Sequence, residues 1–213
     1  MTGRPRIDRL VTSGTFSLDG QDFDVDNNVW FLGDDDEVFV VDAAHDADAI
    51  RAVIGDRRLL GVISTHGHND HINAAVLVAN PPAGPAAPVY LHPDDRMLWD
   101  VVHPAIAPEP LTDGQSFTAA GLTCSVIHTP GHSPGAVCLY VPDLGRLLSG
   151  DTLFQGGPGA TGRSFSSFPV ILESIRTRLL DLPAPTLVLT GHGDPTTIGA
   201  EAASYDEWTS RGP

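Results

Sequence analysis

The sequence predicts an α/β layered domain with two sheets, on three observations. Apolar stretches of strand length alternate with amphipathic stretches of helical length along the chain. With 41% hydrophobic and 18% charged residues, the 213-residue chain has enough apolar side chains for a core and too many for intrinsic disorder. It contains no repeat, charge block or low-complexity linker, so we expect a single domain over residues 1–213.

The first predicted elements are strands. They cover residues 10–16, 28–32 and 37–41, which are rich in β-branched and aromatic side chains. Residues 33–36 are a glycine followed by three aspartates. This composition predicts a turn that joins the last two strands as a hairpin.

A β-α-β-α alternation follows the hairpin. The pattern predicts a helix at residues 46–54, a strand at 59–64 and a helix at 73–79. The second helix must end before Asn80-Pro81-Pro82, because the residue before a proline disfavours helical backbone. The remaining predicted strands are residues 89–92, 116–117, 121–127, 136–141, 146–149 and 186–190, with one helix at residues 168–180.

Charge and composition exclude several classes of function. The 27 acidic residues outnumber the 12 basic ones, and a formal net charge of -15 repels a phosphate backbone, so we expect no nucleic-acid partner. All twelve basic residues are arginine, which excludes Schiff-base chemistry and the lysine of a P-loop. The polar chemistry must therefore come from histidine, aspartate, glutamate and arginine.

No segment of the sequence indicates export or a membrane partner. The first ten residues have no apolar segment behind them, as a secretory signal would, and no run approaches the roughly 18 apolar residues of a membrane span. Cys124 and Cys138 each lie in an apolar, strand-like stretch, where a buried free thiol is expected. We therefore expect a cytoplasmic protein.

A histidine-rich segment, THGHNDH at residues 65–71, follows the predicted strand 59–64. It should occupy the loop at the carboxyl end of that strand, where α/β folds bind ligands. Alternate residues of an extended stretch point the same way, so His66 and His68 should converge on one ion. Asp70 and His71 open the next helix and can turn towards a second ion. Imidazole with carboxylate suits zinc, iron or manganese rather than calcium.

Three later loops each add one potential ligand after an apolar strand. They are TPGHSPG with His132, SGDT with Asp151, and TGHGD with His192. Glycine in each loop permits the sharp turns and close approach that hold a ligand against an ion. One such loop alone would be weak evidence. All three, following the histidine-rich segment 65–71 along the chain, predict a shared metal centre.

These four motifs resemble, in type and order, those of the metallo-β-lactamase superfamily, and within it the glyoxalase II group of hydroxyacyl-thioester hydrolases. The resemblance spans residue 10 to about residue 200. It implies a four-layer αβ/βα sandwich with the site at one edge between two sheets. The ligand set that it implies is His66, His68 and His132 for one metal, Asp70, His71 and His192 for the other, and Asp151 as the bridge.

The chemistry of such a centre follows from general principles. Two divalent ions about 3.5 to 4 Å apart lower the pKa of a shared water, so that a bridging hydroxide forms near neutral pH, and they polarise the carbonyl it attacks. We expect two divalent transition metals, zinc foremost, with iron or manganese as alternatives. Asp70 and Asp151 are the predicted catalytic carboxylates. Asp42 is a reasonable partner for a metal-bound imidazole, because such rings need a carboxylate or carbonyl to fix their tautomer.

The chain departs from the longer glyoxalase II enzymes, whose helical extension carries basic residues that bind the glutathione carboxylate. Here only 21 residues follow His192 and no lysine is present, so the sequence predicts the short form, with another thiol carrier or a less selective site. Arg163 is a candidate for binding a substrate carboxylate, although a structural arginine bonded to backbone carbonyls fits equally. His103 is a candidate for the mouth of the pocket.

The leading hypothesis is hydrolysis of a small-molecule substrate, a 2-hydroxyacyl thioester of a low-molecular-weight thiol. A thiolate leaves readily because its pKa is about 8.5, so no strong general acid is needed. The alternative is a persulfide dioxygenase with a single iron on His66, His132 and Asp151, a 2-His-1-carboxylate set. A lactonase or β-lactamase-like hydrolase comes third. A non-catalytic metal-binding module and a flavodiiron-type domain, which has Glu in place of His68, are disfavoured because no ligand is lost.

Overall fold

Two six-stranded sheets form the centre of the molecule in the computed structural model, which describes residues 3–82 and 84–212. The first sheet is mixed, and its strands lie side by side in the order of the chain. These strands are β1 (Arg6–Leu18), β2 (Gln21–Gly33), β3 (Glu37–Val41), β4 (Arg58–Ile63), β5 (Val89–Leu91) and β6 (Glu109–Pro110).

The second sheet comes from the later part of the chain. Its strands are β7 (Ser116–Ala119), β8 (Leu122–His128), β9 (Val137–Val141), β10 (Arg146–Gly150), β13 (Leu187–Thr190) and β14 (Thr196–Thr197), with a separate small ladder of β11 (Leu153–Phe154) and β12 (Gly157–Pro158). The order across the sheet is β14-β13-β10-β9-β8-β7. β10 and β13 are parallel, as are β3 and β4 in the first sheet. Each parallel pair therefore presents two carboxyl-end loops at one edge.

Helices cover the outer face of each sheet. They are α1 (Ala47–Ile54), α2 (Asn69–Ile72), α3 (Ala75–Ala79), α4 (Arg96–Val102), α5 (Phe168–Ser174), α6 (Ile198–Ala202) and α7 (Tyr205–Arg211). α5 continues into a π-helical turn at Ile175–Leu179. The Asp46 side chain caps α1 by accepting two backbone N–H groups, which explains why the helix begins where the sequence predicts. No helix of the described residues is long and apolar enough to cross a bilayer.

The apolar side chains alternate between two layers of core. In β2, Val29 and Phe31 face the helices outside the first sheet, whereas Trp30 and Leu32 face the second sheet. A third cluster packs the outer face of the second sheet against α5 and α7. The resulting helix–sheet–sheet–helix arrangement confirms the predicted four-layer sandwich. Strands buried on both faces have continuous apolar runs, and this is why the sequence predicts them well.

Exposed elements depart most from the prediction. β1 and β2 pair along thirteen residues and extend well beyond the predicted strands at 10–16 and 28–32. The residues that extend β2, 21–27, are mostly exposed and rich in aspartate, a residue that is depleted in strands, so their composition does not mark them as a strand. Asp19 and Gly20 form the tip with positive φ at both residues, as a two-residue hairpin turn requires. The short helices α4, α6 and α7 were not predicted.

Candidate metal centre

The seven predicted ligands come from four loops that meet at one edge between the two sheets. The segment 65–71 follows β4, and Asp151 and His192 follow the parallel strands β10 and β13. His132 lies in the loop between β8 and β9. The first four ligands therefore belong to the half of the molecule built on the first sheet, and the other three belong to the half built on the second.

Three histidines, His66, His68 and His132, form what we call the three-histidine cluster. His66 Nε2 and His132 Nε2 each lie 3.0 Å from His68 Nδ1. The rings stand nearly perpendicular to one another, at 82° to 86°, so three nitrogens point at a common centre. Nitrogens that share one tetrahedral zinc at 2.0–2.1 Å lie about 3.3 Å apart, which this spacing approaches.

The electrostatic environment keeps rings of this cluster neutral. Burial, followed by the charge of neighbouring His132, lowers the pKa of His68 to about 3. Burial and then His71 lower the pKa of His66 well below its ordinary value. A neutral imidazole is the form that binds a metal. These two rings therefore release no proton when a metal binds near neutral pH.

A second group, Asp70, His71 and His192, forms the mixed cluster. His71 Nε2 lies 3.2 Å from His192 Nε2, and Asp70 Oδ2 lies 3.6 Å and 3.4 Å from these two nitrogens. Burial alone would lower the pKa of His192, but Asp151 and Asp70 outweigh it and raise the pKa to about 10. Burial raises the pKa of Asp70, yet His71 and the hydrogen bond from His192 lower it to about 2. The mixed cluster is thus made of charged partners.

Asp151 lies between the two clusters. Its Oδ1 is 3.4 Å from His71 Nε2, and its Oδ2 is 3.3 Å from His192 Nε2 and 3.6 Å from His132 Nε2. Burial opposes the ionised form, but His71 and His192 lower the pKa of Asp151 well below its ordinary value. This single carboxylate therefore contacts ligand nitrogens of both clusters.

Groups behind the ligands fix how the histidine rings are turned. Asp42 Oδ2 lies 3.0 Å from His71 Nδ1, as the sequence suggested, and the Nδ1 atoms of His132 and His192 lie 2.9 Å and 2.7 Å from the carbonyls of Ala160 and Asp26. A carbonyl can only accept, so each of these two rings carries its proton on Nδ1. Their Nε2 atoms therefore face the centre, where each ring in its neutral form offers a lone pair.

The donor set fits divalent transition metals. Asp70 Oδ1 and Asp151 Oδ1 are buried acceptors without a hydrogen-bond partner, and a buried carboxylate oxygen is costly unless a donor or a cation meets it. Imidazole nitrogens with two carboxylates are the ligands of zinc, iron and manganese sites. Two groups of three such side chains, joined by Asp151, are suited to two ions.

A row of polar side chains in contact with one another lies behind Asp70, and no sequence pattern predicts it. Asn27 Nδ2 donates to Asp70 Oδ2 at 3.0 Å, and Asn27 Oδ1 lies 2.8 Å from His45 Nε2. His45 Nδ1 in turn lies 3.0 Å from Asn73 Nδ2. The structure thus places His45 behind the centre, through contacts that no local pattern indicates.

The two predicted substrate contacts lie at the border of the site. The Arg163 guanidinium stands 4.5 Å from the Phe23 ring and donates to Gln21 Oε1 at 3.1 Å, which ties its loop to the β1–β2 hairpin. Phe16, beside it, meets His68 edge-on at 5.2 Å. His103 Nε2 lies 2.8 Å from the carbonyl oxygen of Ile72, the last residue of α2. A role of Arg163 or His103 in substrate binding stays a prediction.

Comparison with known proteins agrees with this geometry. Residues 23–192 match the metallo-beta-lactamase superfamily. A probable metallo-hydrolase, YqgX of Bacillus subtilis, is 35% identical over 82% of this chain and 88% of its own. A hydroxyacylglutathione hydrolase of Aeromonas hydrophila is 32% identical over 78% of this chain and 61% of its own.

Solved structures share the fold. The BLEG-1 B3 metallo-beta-lactamase has a TM-score of 0.75 at 32% identity and covers 90% of this chain and 97% of its own. TTHA1623 in a di-iron-bound form has a TM-score of 0.72 at 30% identity, over 84% of this chain and 93% of its own. The match to the family model spans all seven candidate ligands, and the chain therefore belongs to the metallo-β-lactamase superfamily.

Proposed function

We propose that the protein is a two-metal hydrolase that cleaves 2-hydroxyacyl thioesters of a low-molecular-weight thiol. The observation that carries this proposal is the position of Asp151, whose two oxygens lie within 3.3 to 3.6 Å of ligand nitrogens in both clusters. A single ion on His66, His132 and Asp151 would leave the other four ligand-type side chains of the centre without an ion. His66, His68 and His132 would hold one ion, Asp70, His71 and His192 the other.

The ions, when bound, supply a water of lowered pKa and polarise the carbonyl that this water attacks. Asp151 would offset the repulsion between two such ions, because its carboxylate lies between the two groups of ligands. The carbonyls of Ala160 and Asp26 accept hydrogen bonds from two ligand rings and hold them in place before substrate arrives, and Asp42 lies at an ion-pair distance of 3.0 Å from a third ring. Such fixed geometry lowers the reorganisation needed during the reaction.

A thioester is the favoured substrate on chemical grounds. The seven candidate ligands would all be bound to metal, so none of them is left to donate a proton to a leaving group. A thiolate needs no such donor, because the pKa of its thiol is about 8.5. The hydroxyacylglutathione hydrolase of Aeromonas hydrophila supports this reaction class. The chain has no lysine, which favours a carrier other than the anionic glutathione.

The test combines metal content with two activity assays. Protein reconstituted with zinc, iron or manganese is expected to hold about two ions per chain and to release thiol from lactoyl thioesters of neutral and anionic carriers. Release should be faster from the neutral carriers. One firmly held iron, with oxygen uptake in the presence of a persulfide and no thiol release, would instead establish the mononuclear dioxygenase.

A β-lactam is a second candidate substrate, because BLEG-1 is similar over almost its whole length. The same centre would activate water against a lactam carbonyl. A chromogenic cephalosporin added to the same metal-loaded protein distinguishes the two. Hydrolysis of the cephalosporin that is faster than that of every thioester would overturn the thioester assignment while leaving the two-metal centre intact.

A further inference from the structure

A buried carboxylate outside the ligand set lies behind the three-histidine cluster. Asp95 is the residue directly before α4, and its side chain is fully buried. Burying a carboxylate costs free energy unless hydrogen bonds replace its hydration, so its environment must supply several donors. Neither the sequence motifs nor the proposed reaction uses this residue.

Three donors satisfy the Asp95 carboxylate. Its Oδ2 accepts the backbone N–H of Gly67 at 2.7 Å and the hydroxyl of Ser133 at 2.6 Å, and its Oδ1 accepts the backbone N–H of Gly135 at 2.6 Å. Gly67 stands between the ligands His66 and His68, and Ser133 directly follows His132. The Asp95 side chain thus joins the loop after β4, in the first sheet, to the loop between β8 and β9, in the second sheet.

Both glycines are explained by the presence of Asp95. Neither Gly67 nor Gly135 has the positive φ that would itself favour glycine. A Cβ at Gly67 would lie 3.0 Å from the Cβ of Asp95 and 2.9 Å from that of Leu98, and a Cβ at Gly135 would lie 2.8 Å from Asp95 Cγ. Glycine is therefore needed at these positions for close approach of Asp95 rather than for backbone conformation.

The three-histidine cluster depends on its backbone to orient the His68 ring. His132 and His192 are held through their second ring nitrogen, but the corresponding atom of His68, Nε2, is buried without a partner. The direction of the His68 ring must then be set by the backbone that carries it and by packing against Phe16. That backbone is the one that Asp95 holds at Gly67.

We propose that Asp95 is a positioning residue for the three-histidine cluster, where it holds ligands from the two sheets at the spacing that one metal ion requires. The inference rests on the proposed metal binding but not on the identity of the substrate. Loss of the carboxylate would leave buried N–H groups unpaired at both loops and let His68 and His132 move apart. Residues that orient ligands from behind change metal affinity by about 10- to 100-fold when they are replaced.

Asp95→Asn is the direct test. The amide keeps the shape of the side chain but turns one acceptor oxygen into a donor that faces N–H or O–H groups. We expect the first equivalent of zinc, titrated against a chelating dye, to bind about 10- to 100-fold more weakly, with a smaller change for the second. The visible absorption of the first cobalt equivalent should change as well. Asp100→Asn is the matched control, because Asp100 is an exposed acid on α4 that pairs with Arg96.

A purely structural role gives a different result. Asp95→Asn would then unfold at a lower temperature while zinc affinity and cobalt absorption stay at parental values, and this outcome would overturn the proposal. Ser133→Ala provides a milder variant should Asp95→Asn not fold, because it removes one of three bonds and no charge. Its zinc affinity is expected to fall about three- to tenfold, and an unchanged affinity would equally refute the proposal.

The same titrations separate this inference from the proposed function. Parent protein that holds two metals but cleaves no thioester would refute the thioesterase and leave the role of Asp95 to be decided by affinity. Parent protein that cleaves thioesters while Asp95→Asn retains full zinc affinity would refute only the positioning role.

Discussion

The two clusters of the centre use the same side chain in opposite electrostatic states. In the three-histidine cluster burial and neighbouring rings lower the pKa of His68 to about 3, whereas in the mixed cluster Asp151 and Asp70 overcome burial and raise the pKa of His192 to about 10. The difference comes from the nearest groups: His192 Nε2 lies 3.3 Å and 3.4 Å from two carboxylate oxygens, whereas His68 Nδ1 lies 3.0 Å from two imidazole nitrogens. Two ions of equal charge, one in each cluster, would therefore meet one neutral and one charged group of side chains.

The largest expected effect comes from removing the carboxylate that the two clusters share. Asp151→Asn keeps the size of the side chain but removes the charge that offsets metal repulsion, so we expect turnover to fall about a hundredfold or more, with loss of the second metal. Metal content and thioester hydrolysis are measured together. Asp194→Asn, an exposed acid two residues after His192, should change little. Near-parental turnover with two metals in Asp151→Asn would disprove the bridge.

A change confined to the mixed cluster should have an intermediate effect. Asp42 lies 3.0 Å from His71 Nδ1, so Asp42→Asn weakens the partner that orients this ring. We expect about a tenfold loss of affinity for the second metal. Equal weakening of both metals would show that Asp42 acts mainly through its bonds to Thr65, at 2.7 Å and 2.8 Å, and would remove the contrast between the clusters.

Proton release offers a test without mutation. The raised pKa of His192 means that its ring is protonated near neutral pH in metal-free protein, and a metal must displace that proton. His68 carries no proton there, since its pKa is lowered to about 3. Calorimetric titration in two buffers of different ionisation enthalpy should therefore show at least about one proton released by the second metal and almost none by the first. Affinity of the mixed cluster should rise with pH, and equal release at both steps would contradict this.

The smallest effect is expected at the two thiols. Burial raises the pKa of Cys124 to about 12 and that of Cys138 to about 11, so neither forms a thiolate near neutral pH. Both are free and buried, as the sequence predicted. Cys124→Ser and Cys138→Ser should keep most of the turnover of the parent. A variant that keeps its metals but loses turnover would show that a thiol takes part in the chemistry.

The sequence predicts the candidate ligands and the central strands because both leave local signals. Segment 65–71 carries four ligand-type side chains within six residues, and β3, β4 and β13 are apolar runs buried on both faces. Asn27 and Asp95 left no such signal. They meet their partners across 43 residues for Asp70 and 28 residues for Gly67, and polar residues of this kind are common in ordinary loops. Their role depends on tertiary contacts that a single sequence does not encode locally.

The distribution of ligands over the two halves has a consequence for the order of folding. The four ligands at residues 66–71 are synthesised well before His132, Asp151 and His192, and a metal caught by the early group alone would lack the partners of a complete site. The centre closes only when β13 has paired with β10 and the two sheets have packed together. Stable metal uptake must therefore be a late event, and its rate during refolding would report completion of the native structure rather than its initiation.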